Sequence, residues 1–435
     1  MSMADNFKSF CEEICLDNLA EMQTSAGEIA KKLNKHYYDI DKDSESHLYV
    51  VGSVGRHTAI KGSSDLDILF DLPDSVYKKY NAYESNGQSQ LLQDVKTVLK
   101  ERYPNTKIRG DGQVVVIEFT KFTVELVPGF KQSDNRFKYP DTHDGGSWKT
   151  TDPLSEQDEC EACNSESRGV YYDFCHMMRS WKNNIGFAFG GLLIDTLVYN
   201  HFVANDYYAD ASYDDYLTIL DNLFEYLKGL DKNQSYWFAV GSNQKVYNSN
   251  NGVFVTKAKS AYDELNSAIK KSEGIENVLQ KLFGSEQFST PENRVLKEFS
   301  QYSYRNTEEF IEHMLSVDIR YSLQIDCKVS QDGWRDFFLL QFLRSGGGWL
   351  SRNKKLDFFI KSTDCLPPYS IYWKVRNIGS EAERRDCIRG QVSLTNRDHH
   401  NERTSFFGPH YVECYLVKNN VCVARSRIDV PISSC

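Results

Sequence analysis

The chain has 435 residues, 40% of them hydrophobic and 26% charged, which is enough apolar material for two or three packed units. Its 51 basic and 61 acidic residues give a formal net charge of −10, which argues against broad affinity for nucleic-acid backbones, since that needs a surplus of Lys and Arg. No apolar run reaches the roughly 18 residues of a membrane span, and the N-terminus lacks the basic–apolar–small pattern of a secretory signal. The 11 cysteines are scattered, several in apolar runs, and read as reduced and mostly buried, so a cytoplasmic location is expected.

In chain order, helical spacing opens the sequence with Phe7, Phe10, Cys11 and Ile14, then Ile29, Leu33 and Tyr37. Residues 48–51 read as a strand entering a tight turn at Gly52-Ser53, and residues 65–72 as a second strand. An amphipathic helix is expected over 90–103, with Leu91, Leu92, Val95, Val98 and Leu99 on one stripe. Residues 114–119 and 122–127 form a hairpin pattern stopped by Pro128-Gly129. The polar stretch 139–163 reads as a crossover. Helical signals follow at 170–182, 191–203, 216–227, 256–271 and 275–282.

Beyond Val317 the period changes to strands, at 319–327, 337–342, 356–360, 371–375, 411–417 and 421–430, with Lys418-Asn419-Asn420 as a hairpin turn. The expected class is α+β. An α/β unit with an N-terminal helix covers 1–165, a helical unit 166–300, and a β-rich domain, a sandwich, 305–435.

The chemistry concentrates in residues 52–67, from Gly52-Ser53 to Asp65-Leu66-Asp67. Two residues apart on a strand, Asp65 and Asp67 project from one face, while Leu66, Ile68 and Phe70 face a helix-covered core. Paired carboxylates repel unless a cation lies between them, so they suit Mg²⁺. Upstream, glycine at 52 lets the backbone approach a phosphate, and Ser53 adds a hydroxyl. Glu125 is the candidate third carboxylate, because Val124 and Leu126 would face the core; Glu118 on the partner strand is the alternative. An isolated Asp-x-Asp is more often a solvated strand end. The Gly-Ser turn and the third acid together point to nucleotidyl transfer.

The segment resembles the Gly-Ser…Asp-x-Asp signature of the DNA polymerase β-like nucleotidyltransferases. More narrowly, residues 52–73 resemble the CD-NTases with a SMODS domain, bacterial relatives of cyclic GMP–AMP synthase and oligoadenylate synthase. The resemblance extends over most of 1–290. It implies that Asp65, Asp67 and Glu125 bind Mg²⁺, with Mn²⁺ as a substitute, although Glu125 stands where the family usually has Asp. It also implies that Gly52 and Ser53 contact the donor triphosphate. Arg179-Ser180-Trp181-Lys182 resembles the family's basic-x-Trp element, so Arg179 and Lys182 are expected to bind phosphate as well. No role is assigned to Asp195.

The implied activity joins ribonucleoside triphosphates, ATP among them, into cyclic di- or trinucleotide messengers. These would act on a downstream effector in anti-phage (CBASS) signalling, with no membrane and no long nucleic acid as partner. Two other readings stand beside it. One is a transferase acting on RNA, a protein or a small molecule, and the other is a nucleotide sensor with a silent catalytic half.

The C-terminal part resembles the AGS-C module through Tyr372-Trp373-Lys374-Val375-Arg376-Asn377, Arg389-Gly390 and Gly408-Pro409-His410-Tyr411. Lys374 and Arg376 share a strand face, and with Arg389 they are expected to edge a nucleotide site. Cys160-x-x-Cys163 with Cys175-His176 is set aside as a zinc site, because Cys175 and His176 cannot easily point at one metal. His399-His400 reads as a solvated loop.

Overall fold

A computed structural model describes residues 2–40, 45–289, 308–331, 333 and 335–433. The boundary expected between residues 300 and 305 lies outside the described residues. The chain divides into two compact units, one of residues 1–180 and 190–262, the other of residues 181–189 and 263–435.

The first unit is built on a mixed sheet. Its strands are β1 (Leu48–Val50), β2 (Asp65–Asp71), β3 (Lys107–Asp111), β4 (Val114–Glu118), β5 (Thr123–Lys131), β6 (Phe137–Asp141) and β7 (Ser147–Thr151). The order is β1-β2-β5-β4-β3, with β6 on β5 and β7 on β6. On β2, Leu66, Ile68 and Phe70 enter one core together with Val124 and Leu126 of β5. The helices Leu19–Tyr38 and Gly87–Arg102 cover that face, the first through Met22, Ala26, Ile29 and Leu33, the second through the expected Leu91–Leu99 stripe. Each fully buried side chain of this size contributes about 1.5–3 kcal/mol.

Pro128-Gly129 does not stop the second hairpin strand. β4 pairs with β5 only as far as Val115 opposite Leu126, so the missing N–H of Pro128 costs no bond on that edge, and β5 runs on beside β2. The stretch 139–163 is more ordered than a crossover. It holds the β6–β7 ladder and the helix Pro153–Glu166, whose start is set by proline in the first turn and by Asp152 accepting from the Ser155 N–H.

Helices Val170–Ile185, Gly191–Val203, Tyr216–Gly229, Val253–Lys271 and Ile275–Phe283 follow the expected positions. A short hairpin, β8 (Tyr236–Phe238) with β9 (Lys245–Tyr247), stands between the third and fourth of these.

The second unit carries β10 (Ser316–Val317), β11 (Leu323–Ser330), β12 (Phe337–Phe338), β13 (Lys355–Thr363), β14 (Ser370–Arg376), β15 (Arg389–Leu394), β16 (His399–Arg403), β17 (Gly408–Lys418) and β18 (Val421–Ile432). They form a five-stranded sheet, β10-β18-β17-β14-β15, and a four-stranded sheet, β12-β11-β13-β16. Ile325, Cys327 and Phe358 of one share a core with Trp373, Val412 and Cys414 of the other, which makes a sandwich. Asn419 and Asn420 both take positive φ in the β17–β18 turn, as a tight hairpin requires.

Two expectations change here. After Phe337–Phe338 the chain turns into a helix, Leu339–Arg344, rather than continuing as strand. His399 and His400 lie on β16, facing Asp357 at 2.9 Å and Glu402 at 2.9 Å, rather than in a solvated loop. The ten described cysteines are free thiols, eight of them buried. Among the described residues no helix is long and apolar enough to cross a membrane.

Candidate active site

Strand β2 runs parallel to β5, and the register sets Asp67 beside Glu125 and Asp65 beside Thr123. Residues in register on neighbouring strands point to the same face, so Asp65, Asp67 and Glu125 form a short acidic row. All three are half-buried, on the face opposite the helix-covered core. Burial, then the charges of Asp67 and Asp111, push the Glu125 carboxyl up to about 7 against a weaker opposing pull from Arg109.

That crowding is the observation that tests the row as a metal site. A hard divalent cation with oxygen ligands would relieve the crowding that raises Glu125. Among the described residues no three His, Cys, Asp or Glu side chains already converge on one point, so phosphate oxygens and water would complete the shell. Glu118 is otherwise engaged, bound by Arg109 and by Lys107 at 3.0 Å.

The turn before β2 closes on the row. Gly52 has φ +64°, and a Cβ there would lie 1.9 Å from Asp67 Oδ2. Only glycine allows that approach. The Ser53 carbonyl accepts from the N–H groups of Thr58 at 2.9 Å and Ala59 at 3.1 Å, which locks the turn.

Behind the turn lies a buried ionic cluster that the sequence did not reveal. Asp195 accepts from Arg56 Nε at 3.0 Å, Thr58 Oγ1 at 3.0 Å, and Arg179 Nη1 and Nη2 at 2.6 and 2.9 Å. Arg56 Nη1 also donates to Glu156 at 3.1 Å, and Glu156 accepts from Ser242 at 3.1 Å. Burial would raise the Asp195 carboxyl, but Arg179 and Arg56 outweigh it and hold it below the usual carboxylate range. Two guanidinium groups thus balance two carboxylates out of water.

Residues 1–164 match the family model of the Second Messenger Oligonucleotide or Dinucleotide Synthetase domain, SMODS, and residues 305–433 that of the Adenylyl/Guanylyl and SMODS C-terminal sensor domain, AGS_C. The N-terminal part of the chain is therefore a SMODS domain and the C-terminal part an AGS-C domain. A probable cyclic nucleotide synthase of Bacillus cereus (strain VD146) is 22% identical over 213 residues, a match spanning 42% of this chain and 63% of that relative.

Among solved structures, that of E. coli MS115-1 CdnC with ATP is 18% identical. It covers 66% of this chain and 98% of its own, with a TM-score of 0.51. The E. coli MS115-1 CdnC:HORMA-deltaN complex is 16% identical with the same coverage and a TM-score of 0.50. These likenesses are of fold, and the fold is that of a nucleotidyltransferase.

Within this SMODS chain the two cations of the basic-x-Trp element have protein partners. Arg179 is buried, chelating Asp195 and donating to the carbonyls of Cys175 and Gly191. Lys182 is buried too, and donates to Asp318 Oδ1 and the Ile319 carbonyl, both at 2.9 Å. The arrangement gives each a role in holding helices and strands in place. The acidic row and the Gly52-Ser53 turn form one local group, and Arg179 meets the turn through Asp195, which Arg56 and Thr58 share.

In the AGS-C domain Lys374 is buried and paired with Glu308 at 3.0 Å and Glu413 at 3.4 Å. Arg376 meets Glu308 at 3.3 Å and lies opposite Arg389 across the β14–β15 ladder. Arg389 grips Glu402 through both Nη atoms at 2.8 Å. The expected basic groove is therefore lined by ion pairs. The Phe310 and Tyr411 rings do edge Lys374, at 4.7 and 5.6 Å.

Proposed function

We propose that this SMODS chain is a Mg²⁺-dependent nucleotidyltransferase, with Mn²⁺ able to substitute, that joins ribonucleoside triphosphates into cyclic di- or trinucleotide messengers. The observation that carries the reading is the acidic row, Asp65 and Asp67 with Glu125 in register, closed by a glycine whose Cα lies against Asp67. Two such ions, when bound, lower the pKa of an acceptor hydroxyl and stabilise the leaving pyrophosphate.

Asp65, Asp67 and Glu125 hold the cations, and Gly52 and Ser53 present backbone N–H groups and a hydroxyl to the donor triphosphate. The turn is fixed before substrate arrives, because Thr58 and Ala59 clamp the Ser53 carbonyl. Arg56, Asp195 and Arg179 act from behind it and hold the turn in place. ATP is the first substrate to test, since the similar E. coli CdnC is seen with ATP. The product would act on an effector in bacterial anti-phage (CBASS) signalling in the cytoplasm, and the AGS-C domain would sense a nucleotide.

The test is incubation of the purified chain with the four labelled ribonucleoside triphosphates and Mg²⁺ or Mn²⁺, followed by phosphatase and chromatography. A phosphatase-resistant product that vanishes in Asp65→Asn and Asp67→Asn supports the reading. Undiminished turnover in either variant removes it.

A further inference from the structure

The hairpin β8–β9 displays aromatic rings for which the acidic row has no use. Tyr236 and Phe238 alternate with the buried Trp237, so they share the opposite face. Their register partners are Tyr247 and Lys245. Phe238 is 58% and Tyr247 65% exposed, and the Tyr236 ring meets both neighbours edge-on, at 5.5 and 6.3 Å. Exposed rings on one face of a two-stranded ribbon are costly in water unless something covers them.

Beside these rings is a cavity of about 730 Å³. It is lined by Tyr236, Trp237 and Phe238 from the hairpin, Glu159 and Asn200 from helices Pro153–Glu166 and Gly191–Val203, and Asn243 from the hairpin turn. That volume suits a small organic ligand. The Tyr199 hydroxyl donates to Glu159 Oε1 at 2.6 Å, which steadies the carboxylate and leaves Oε2 as an acceptor. None of the residues lining the cavity is Lys or Arg, and the hairpin cation Lys245 lies with its Nζ 4.2 Å from the centre of the Tyr236 ring.

We propose that this cavity binds the planar base of a nucleoside bearing an exocyclic amino group, stacked on the hairpin aromatics with its amino edge donating to Glu159. The chemistry follows from the lining. Rings offer π-faces to any base. A carboxylate accepts from the amino groups of adenine, guanine and cytosine, and uracil has no such group. The lining itself carries no Lys or Arg, so the groups that would hold the ligand address its base and sugar. The choice of nucleosides rests on the transferase reading above, so the test is arranged to let the two fail separately.

The full chain is titrated by calorimetry with adenosine, guanosine, cytidine and uridine, which carry no phosphate. At least one amino-bearing nucleoside should bind, and uridine should bind at least about tenfold more weakly. Phe238→Ala and Glu159→Gln should each weaken the best nucleoside by at least about tenfold. Phe238 is mostly exposed, so its replacement leaves no core cavity, and an unchanged unfolding midpoint checks that. No nucleoside binding, uridine binding as tight as the rest, or variants that bind like the parent would overturn the proposal. Pyrophosphate release without nucleoside binding removes the cavity reading alone, and nucleoside binding without pyrophosphate release removes the transferase reading alone.

Discussion

Arg56 donates to Asp195 from 139 positions away, at 3.0 Å, and so fastens the turn that carries Gly52 and Ser53 to the helix Gly191–Val203. The same carboxylate also takes both Nη atoms of Arg179. Removing it strands the Arg179 guanidinium away from water and leaves Arg56 with Glu156 alone, a loss expected to cost about 3–5 kcal/mol. Asp195→Ala should therefore lower the urea midpoint sharply. Arg179→Met should do the same while changing triphosphate affinity little, because its charge is already satisfied. An Arg179→Met protein of normal stability with lost ATP binding would return Arg179 to the phosphate site.

Gly52→Ala is the sharpest probe of the acidic row. The new methyl would fall 1.9 Å from Asp67 Oδ2, on a backbone with φ +64°. Either Asp67 moves or the turn does, and a shift of about 1 Å in a reacting group costs on the order of 10²-fold in rate. Pyrophosphate release should fall by at least that factor while the fold survives, as checked by circular dichroism. Turnover within a few-fold of the parent would mean that Asp67 does not act from this position.

The period-two pattern of Asp65-Leu66-Asp67-Ile68 made the acids' face legible, because apolar alternation fixes which side meets the core. The parallel register that sets Glu125 beside Asp67 was not legible, since spacing along one strand carries no information about its neighbour. The partners of Arg179 and Lys182 were hidden for the same reason. Asp195 and Asp318 lie 16 and 136 positions away, and only the folded chain brings them near. The helix Pro153–Glu166 was missed although Asp152-Pro153 is a start signal, because its polar residues outnumber the buried Cys160 and Cys163. The β16 strand was missed because polar side chains dominate it.

His201 provides a pH signature. Burial alone pushes its imidazole down from 6.5 to about 4, while the Tyr208 hydroxyl sits 2.9 Å from Nε2. Its folded pKa lies below its unfolded one, so the unfolded chain binds the extra proton first as pH falls. Stability from this group is whole above pH 6.5 and is lost down to about pH 4, by about 3 kcal/mol in all. His201→Gln should flatten that part of the stability curve measured by urea unfolding between pH 7 and pH 4.5. A mutant curve as steep as the parent's would show that His201 does not carry it.

The AGS-C ion pairs should differ in weight according to their burial. Lys374 is 2% exposed and balances Glu308 and Glu413, whereas Arg389 pairs with Glu402 near the surface, 43% exposed. Lys374→Ala takes a buried cation from between Glu308 and Glu413, which keep Arg376 at 3.3 Å and Arg425 at 3.7 Å, at a cost of about 1.5–3 kcal/mol. Arg389→Ala removes a solvent-screened pair worth about 1 kcal/mol or less. Urea unfolding of the full chain should rank them in that order. Adding Glu308→Gln to Lys374→Ala should recover part of the loss, because it removes one of the two neighbouring negative charges. No recovery would mean that Lys374 holds the sheet by packing and its aromatic contacts with Phe310 and Tyr411 rather than by charge.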